Sequence, residues 1–193
     1  MKNDKAAMRR ELRTKRRALS PEEQGLAAAR LVHNLSQTRW FRVSKHIACY
    51  IANDGEINVN PVIALSWEMR KTAYLPVLSR IWHDRLWFAP VDPDIDMRPN
   101  RFGIPEPMVS PRELVRAQTL DLVLVPLVGF DLRGNRVGMG GGFYDRSLEF
   151  LRQRRRWRSR AFEAHLARCD RRRTVRPKSG QARRNCPPAR SSQ

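Results

Sequence analysis

The run from Leu120 to Phe130, LDLVLVPLVGF, constrains the fold more than any other stretch of the chain. It is almost wholly apolar and rich in Val and Leu. It is much shorter than the roughly 20 residues a membrane helix needs. A short segment apolar on both sides suits a strand buried on both faces, as in a largely parallel sheet. GNRVGMGGGFYDR follows, with five glycines between Gly134 and Gly142, and YDRSLEFL then restarts a helical pattern. A buried strand, a glycine loop and a helix in that order belong to an α/β domain. Ligands of such sheets bind beyond the carboxyl ends of the strands, where this loop falls.

The rest of the chain alternates in the same way. Residues 4–18 predict a basic helix with a thin apolar stripe of Met8, Leu12 and Leu19. SPEEQGLAAARLVHNLSQ predicts a second helix, with Ser20 as N-cap, Pro21 at the first position and Glu23 completing a capping box. HIACYIA (46–52) predicts a strand and NDGE (53–56) a turn. NPVIALSWEMR predicts a helix capped by Asn60; KTAYLPVL and RLWFAPV predict further strands. PEP (105–107) predicts a rigid extended loop, and SPRELVRA a short helix with the same Ser-Pro-x-Glu start. The expected architecture is a three-layer, Rossmann-like α/β fold with a mostly parallel sheet and helices on both faces.

Charge divides the chain. The net charge is +19 over 193 residues, a figure that first suggests nucleic acid. Residues 152–193 carry 15 Lys and Arg against 2 Asp and Glu, a net of +13; residues 1–151 carry only +6. The body suits an enzyme with anionic ligands. The tail, with fourteen arginines, one lysine and little apolar periodicity, predicts a basic irregular and mostly disordered segment. Non-specific binding of RNA or DNA by that tail is the rival function. The charged start lacks the apolar core of a secretory signal, and three cysteines without a CxxC pair suit a reducing cytoplasm rather than a zinc site. A cytoplasmic monomer without a membrane segment is expected.

Glycines between a buried strand and a helix let backbone N–H groups converge on phosphate oxygens. A glycine-rich turn that only redirects the chain would look the same, since GxGGG fits neither GxGxxG nor the Walker pattern. Arg136 and Arg146 flank the loop and favour an anion. Asp145 suits Mg²⁺ held on phosphates, and equally an acid in a first helical turn. His33, His46, His83 and His165 lack metal-ligand spacing. Trp40 and Phe41 suit the core. Trp82, Trp87 and Phe88 offer flat faces to a ring but suit strand packing better, and Cys49 suits a buried small hydrophobe. A sugar-phosphate or CoA enzyme of related architecture is a third reading.

DLVLVPLVGFD with GNRVGMGGGFYDR resembles the signature of the 5-formyltetrahydrofolate cyclo-ligase family, also called methenyltetrahydrofolate synthetases. KAAMR, LRTKRRALSPEE, CYIANDGEIN, YLPVL and FGIPEP match it in the same order, over about residues 4–151. The resemblance implies ATP- and Mg²⁺-dependent conversion of 5-formyltetrahydrofolate to 5,10-methenyltetrahydrofolate, with release of ADP and phosphate. The formyl oxygen attacks the γ-phosphate, and the second folate nitrogen closes the ring and expels phosphate. Lys5 and Arg9 then match an ATP-binding pair, four residues apart on one helix face. Arg136, Val137, Gly138, Met139, Gly140, Gly141, Gly142, Phe143 and Tyr144 match the nucleotide loop, with Arg136 and Tyr144 as catalytic candidates. Met139 to Phe143 also match the part that meets folate. Asp145 matches the metal ligand, Glu56 an acid at the pterin, and Ile51 an apolar contact beside it.

Past about Trp157 the likeness fades. The family's late strand and its segment like WDxPLDxVxT, whose acid gives a further Mg²⁺ contact, have no counterpart in the sequence. A slipped reading frame near residues 152–161 would produce such an Arg-, Pro- and Ser-rich end; translating the other two frames of the coding DNA tests it. Loss of the strand would expose a sheet edge, and loss of the acid would leave Asp145 with fewer partners. Weak or absent turnover is the expectation.

Overall fold

The computed structural model describes residues 2–78, 85–131, 135–153 and 160–163. Gly134, Trp82, His83, His165, Cys169, Cys186 and most of the basic tail lie outside the described residues.

Helix α1 (Lys2–Arg17) opens the chain, followed by α2 (Pro21–Ser36) and α3 (Arg39–Val43). The α2 start is the predicted capping box: Ser20 Oγ accepts from the Glu23 N–H at 3.1 Å and Glu23 Oε2 accepts from the Ser20 N–H at 2.9 Å. Strand β1 (His46–Ala48), helix α4 (Asn60–Glu68) and strands β2 (Thr72–Leu78) and β3 (Leu86–Val91) follow. The α4 cap is Val59 rather than Asn60; the Asn58 side chain accepts from the Asn60 N–H and fixes the entry one step earlier.

Strands β4 (Met97–Pro99) and β5 (Pro105–Pro107) pair antiparallel, so PEP is a strand rather than a loop. The expected 110–117 helix does not form either. Ser110 and Glu113 make the start bonds, but Val115 then bridges Phe88 through two backbone hydrogen bonds. A pairing partner across the sheet outweighs local helix propensity there. A 3₁₀ turn (Ala117–Thr119) leads to β6 (Leu122–Val125), all four residues of which are buried.

Pro126 lies just past β6, and the predicted long strand resumes only as β7 (Gly129–Phe130), paired with β8 (Arg136–Val137). The glycine loop therefore follows a small hairpin, not the buried strand itself. Helices α5 (Phe143–Ser147) and α6 (Phe150–Gln153) and strand β9 (Arg160–Glu163) complete the order.

The five-stranded sheet runs β3-β2-β1-β6-β9, parallel except for β3. β9 lies within the span expected to be irregular, and it pairs in parallel with β6 from Leu122 to Val125. An exposed sheet edge was expected from the loss of a late strand; β9 covers this side of β6. Alternation along the strands splits the apolar side chains in two. Ile47, Ala73, Leu122 and Leu124 pack with Ala28, Leu35, Phe41 and Val62 of the α2–α4 side. Ala48, Tyr74, Val123 and Val125 pack with Leu120 and Leu148, against Phe143, Tyr144 and Phe150. Cys49 is fully buried and its thiol is pushed up to about 12 by burial, which makes it inert as a nucleophile. Phe41 and Phe88 are fully buried core residues, and Trp87 lies under the Arg116 guanidinium.

Candidate active site at the glycine loop

The loop is placed by its hairpin and by α1. Gly129 of β7 lies so close to α1 that an added Cβ would fall 2.5 Å from Leu12 Cδ1, which lets the helix rest on the hairpin. From that helix Arg9 donates through Nε to the Gly138 carbonyl at 2.9 Å. Arg9 thus meets the glycine loop. Lys5 is exposed one turn earlier on α1.

Gly142 caps α5 at φ +68, the left-handed conformation that glycine adopts without steric cost. A Cβ there would also lie 2.6 Å from Arg146 Nη1. Arg146 donates to the Gly141 carbonyl at 2.8 Å and lies over the Phe143 ring. Among the described residues, the N–H groups of Met139, Gly140, Gly141 and Gly142 donate no hydrogen bond. They are therefore available to acceptor oxygens of a ligand. α5 has only five residues, so a helix dipole adds little at the loop.

Arg136 of β8 forms an ion pair with Asp145 across the loop. Arg136 is mostly buried, whereas the Asp145 carboxylate is 65 % exposed and open to a further partner. Val137 precedes the loop, half-buried in the hairpin; Met139 is exposed at its tip. Phe102 of FGIPEP, 55 % exposed, meets Phe143 edge to face at 6.1 Å between centroids. Sequence reasoning noted that motif but did not single out its aromatic ring.

The acidic turn lies on the same side. Glu56 Oε2 accepts from the Asn53 N–H at 3.2 Å, and Tyr50 at the end of β1 donates to the Ile57 carbonyl at 3.1 Å. Burial raises the Glu56 carboxyl above its ordinary range, opposed by that N–H and by Arg16. Ile51 is half-buried against the core. Tyr144 of α5 interacts electrostatically with Glu56, and burial with that charge pushes its phenol up, so it stays a neutral donor. Its hydroxyl is buried without a hydrogen-bond partner among the described residues. Such a group is uncommon in a folded chain. Arg16 and Asp54, which pin this turn to α1, were hidden in the sequence among other basic and turn residues.

No group of three or more His, Cys, Asp or Glu among the described residues could hold a metal. No helix among them is long and apolar enough to cross a membrane. A shallow apolar groove of about 790 Å³ between α2 and α4, lined by Ala28, Val32, Pro61 and Leu65, contains none of these residues.

Known proteins share the fold and much of the sequence. The profile of the 5-formyltetrahydrofolate cyclo-ligase family matches residues 1–172, past the point where the motifs end. The chain is similar to the 5-formyltetrahydrofolate cyclo-ligase of Haemophilus influenzae, 41% identical over 63% of this chain and 62% of that protein. It therefore spans less than two thirds of that relative's length. The Escherichia coli 5-formyltetrahydrofolate cyclo-ligase is 36% identical over 72% of this chain and 76% of its own. The NMR structure of Aquifex aeolicus 5,10-methenyltetrahydrofolate synthetase superposes with a TM-score of 0.68 at 29% identity, covering 83% of this chain and 76% of that one. A Mycoplasma pneumoniae methenyltetrahydrofolate synthetase, at 22% identity and TM-score 0.57, shares the fold. With the family profile matched over most of its length, the chain belongs to the 5-formyltetrahydrofolate cyclo-ligase family.

Proposed function

We propose that this chain binds ATP and 5-formyltetrahydrofolate and closes the folate to 5,10-methenyltetrahydrofolate, releasing ADP and phosphate. The observation that carries this reading is the convergence on one helix. Arg9 of α1 touches the glycine loop, and Arg16, seven residues or about 10 Å further along, touches the acidic turn. An anionic ligand and a second ligand with paired N–H donors would meet there, with Tyr144 between them.

In this reading Lys5, Arg9 and Arg136 neutralise the polyphosphate, and the loop from Val137 to Phe143 wraps it, the N–H groups of Met139 to Gly142 holding its oxygens without side chains in the way. Glu56 accepts the paired N–H donors of the pterin, and Ile51 covers its apolar edge. Phe143 and Phe102 offer faces to an aromatic ring of the folate. The Tyr144 hydroxyl donates to oxygen at the reacting centre. The formyl oxygen bonds to the γ-phosphorus as ADP leaves; the second nitrogen then attacks the formyl carbon, and phosphate carries the oxygen away. The protein mainly aligns the two substrates.

An exposed carboxylate with phosphate oxygens is a donor set that suits Mg²⁺, which binds through one or two carboxylates plus phosphates. Asp145 would hold that ion, which neutralises charge on the transferred phosphoryl group. Asp145 is also paired with Arg136, so Mg²⁺ competes with that guanidinium and turnover rises with Mg²⁺ concentration. The working molecule is a cytoplasmic monomer. Incubating the purified full chain with 5-formyltetrahydrofolate, ATP and Mg²⁺ tests the reading. Methenyl product and phosphate should form in equal amounts; ATP consumed without folate, or no product, would contradict it.

A further inference from the structure

The apolar hold of α1 on the sheet is slight. Met8 is exposed, and Leu12, half-buried, lies against Gly129 of the hairpin. An ion cluster fixes its last two turns instead. Asp54 sits at φ +54, in the left-handed turn region that Asp adopts more readily than most side chains. Its carboxylate accepts from Arg13 Nε at 2.6 Å, from Arg16 Nη2 at 3.0 Å and from Arg17 Nε.

Arg16 is the inner member, with 4 % of its side chain exposed. Its Nε donates to the Asp54 carbonyl at 2.9 Å and its Nη1 to the Leu127 carbonyl at 3.3 Å. Nη1 also lies 3.8 Å from Glu56 Oε1. One buried guanidinium therefore joins α1, the acidic turn and the point where the chain leaves β6 for the glycine hairpin. A solvated arginine would suffice for solubility; a buried one is costly unless its fork is filled, as here.

We infer that Arg16 is a positioning residue for the cyclo-ligase reaction, holding the Glu56 turn and the Arg9 helix in fixed register over the glycine loop. This rests on the function proposed above. Among the described residues, the charged and titratable groups facing Glu56 are Arg16 from α1, Asp54 of its own turn, Tyr50 from the end of β1 and Tyr144 from α5. Among these, Arg16 carries the only positive charge. Burial already disfavours the Glu56 carboxylate, so removing Arg16 raises its pKa further and moves the loss of folate recognition to higher pH.

The test compares the full chain with Arg16→Met and Arg16→Lys, by thermal melting, by KM for ATP and folate, and by the pH profile of kcat/KM for folate. Arg16→Met should raise the folate KM about tenfold, the loss of one charge-assisted contact, and shift the acid limb upward. Arg16→Lys should restore the acid limb, because a cation remains, while KM stays raised because the fork is lost. A folded Arg16→Met with wild-type KM and acid limb overturns the inference. If Arg16→Met does not fold, Arg16→Lys decides: an unchanged folate KM overturns the inference. If the wild-type chain forms no product with ATP, the functional reading itself falls and takes the inference with it.

Discussion

Tyr144→Phe separates stability from function at the centre of the site. The Tyr144 hydroxyl is buried and unpartnered among the described residues, while its ring packs against the cluster that includes Leu148 and Val125. The substitution keeps the ring and deletes only the orphaned oxygen. A buried hydroxyl without a partner costs about 1–3 kcal/mol. Taking the lower end, the ligand-free variant should be about 1 kcal/mol more stable than wild type, or about 2–4 °C in melting temperature for a chain this size. Catalysis should move the other way. A hydrogen bond to a charged group contributes about 1.5–3 kcal/mol, so kcat/KM should fall by about 10- to 150-fold. Thermal melts of both proteins without ligand, with parallel turnover assays, measure the two effects. A variant that melts below wild type would show that the hydroxyl has a partner. One that turns over at the wild-type rate would show that the hydroxyl does not meet the reacting groups.

Ser20→Ala should cost about 1 kcal/mol in thermal melts with no change in KM, because the box it breaks lies outside the site. Gly142→Ala forces a Cβ into φ +68 and against Arg146, so it should lose about 1–2 kcal/mol of stability and raise the KM for ATP. Asp145→Asn should abolish the Mg²⁺ response of turnover. Its melting temperature should hardly change, since so exposed an ion pair contributes less than about 1 kcal/mol.

The elements legible in the sequence were those whose cause is local. Four consecutive apolar residues made β6 visible, the Ser20–Glu23 pair made α2 visible, and Gly55 after Asp54 marked the turn. Elements decided by a distant partner were not. Ser110 and Glu113 gave the same start signal as α2, yet Val115 was drawn to Phe88. Pro105–Pro107 became a strand because Met97–Pro99 lies beside it, and Arg160–Glu163 because β6 offers an edge. Around the glycine loop, the resemblance singled out the loop itself, Arg9 and Glu56. It could not tell which arginine of RTKRR turns inward, because the partners of Arg16 are 38 and 111 residues away in sequence. The Phe102–Phe143 contact was hidden for the same reason.

The central claim is that ATP and a formylated folate meet over the backbone of residues 137–143. Its most direct measurement is transfer of ¹⁸O from the formyl group of 5-formyltetrahydrofolate to the released phosphate, using the purified full chain with ATP and Mg²⁺. The label should appear in phosphate in step with methenyl product. Product formed with unlabelled phosphate would contradict it.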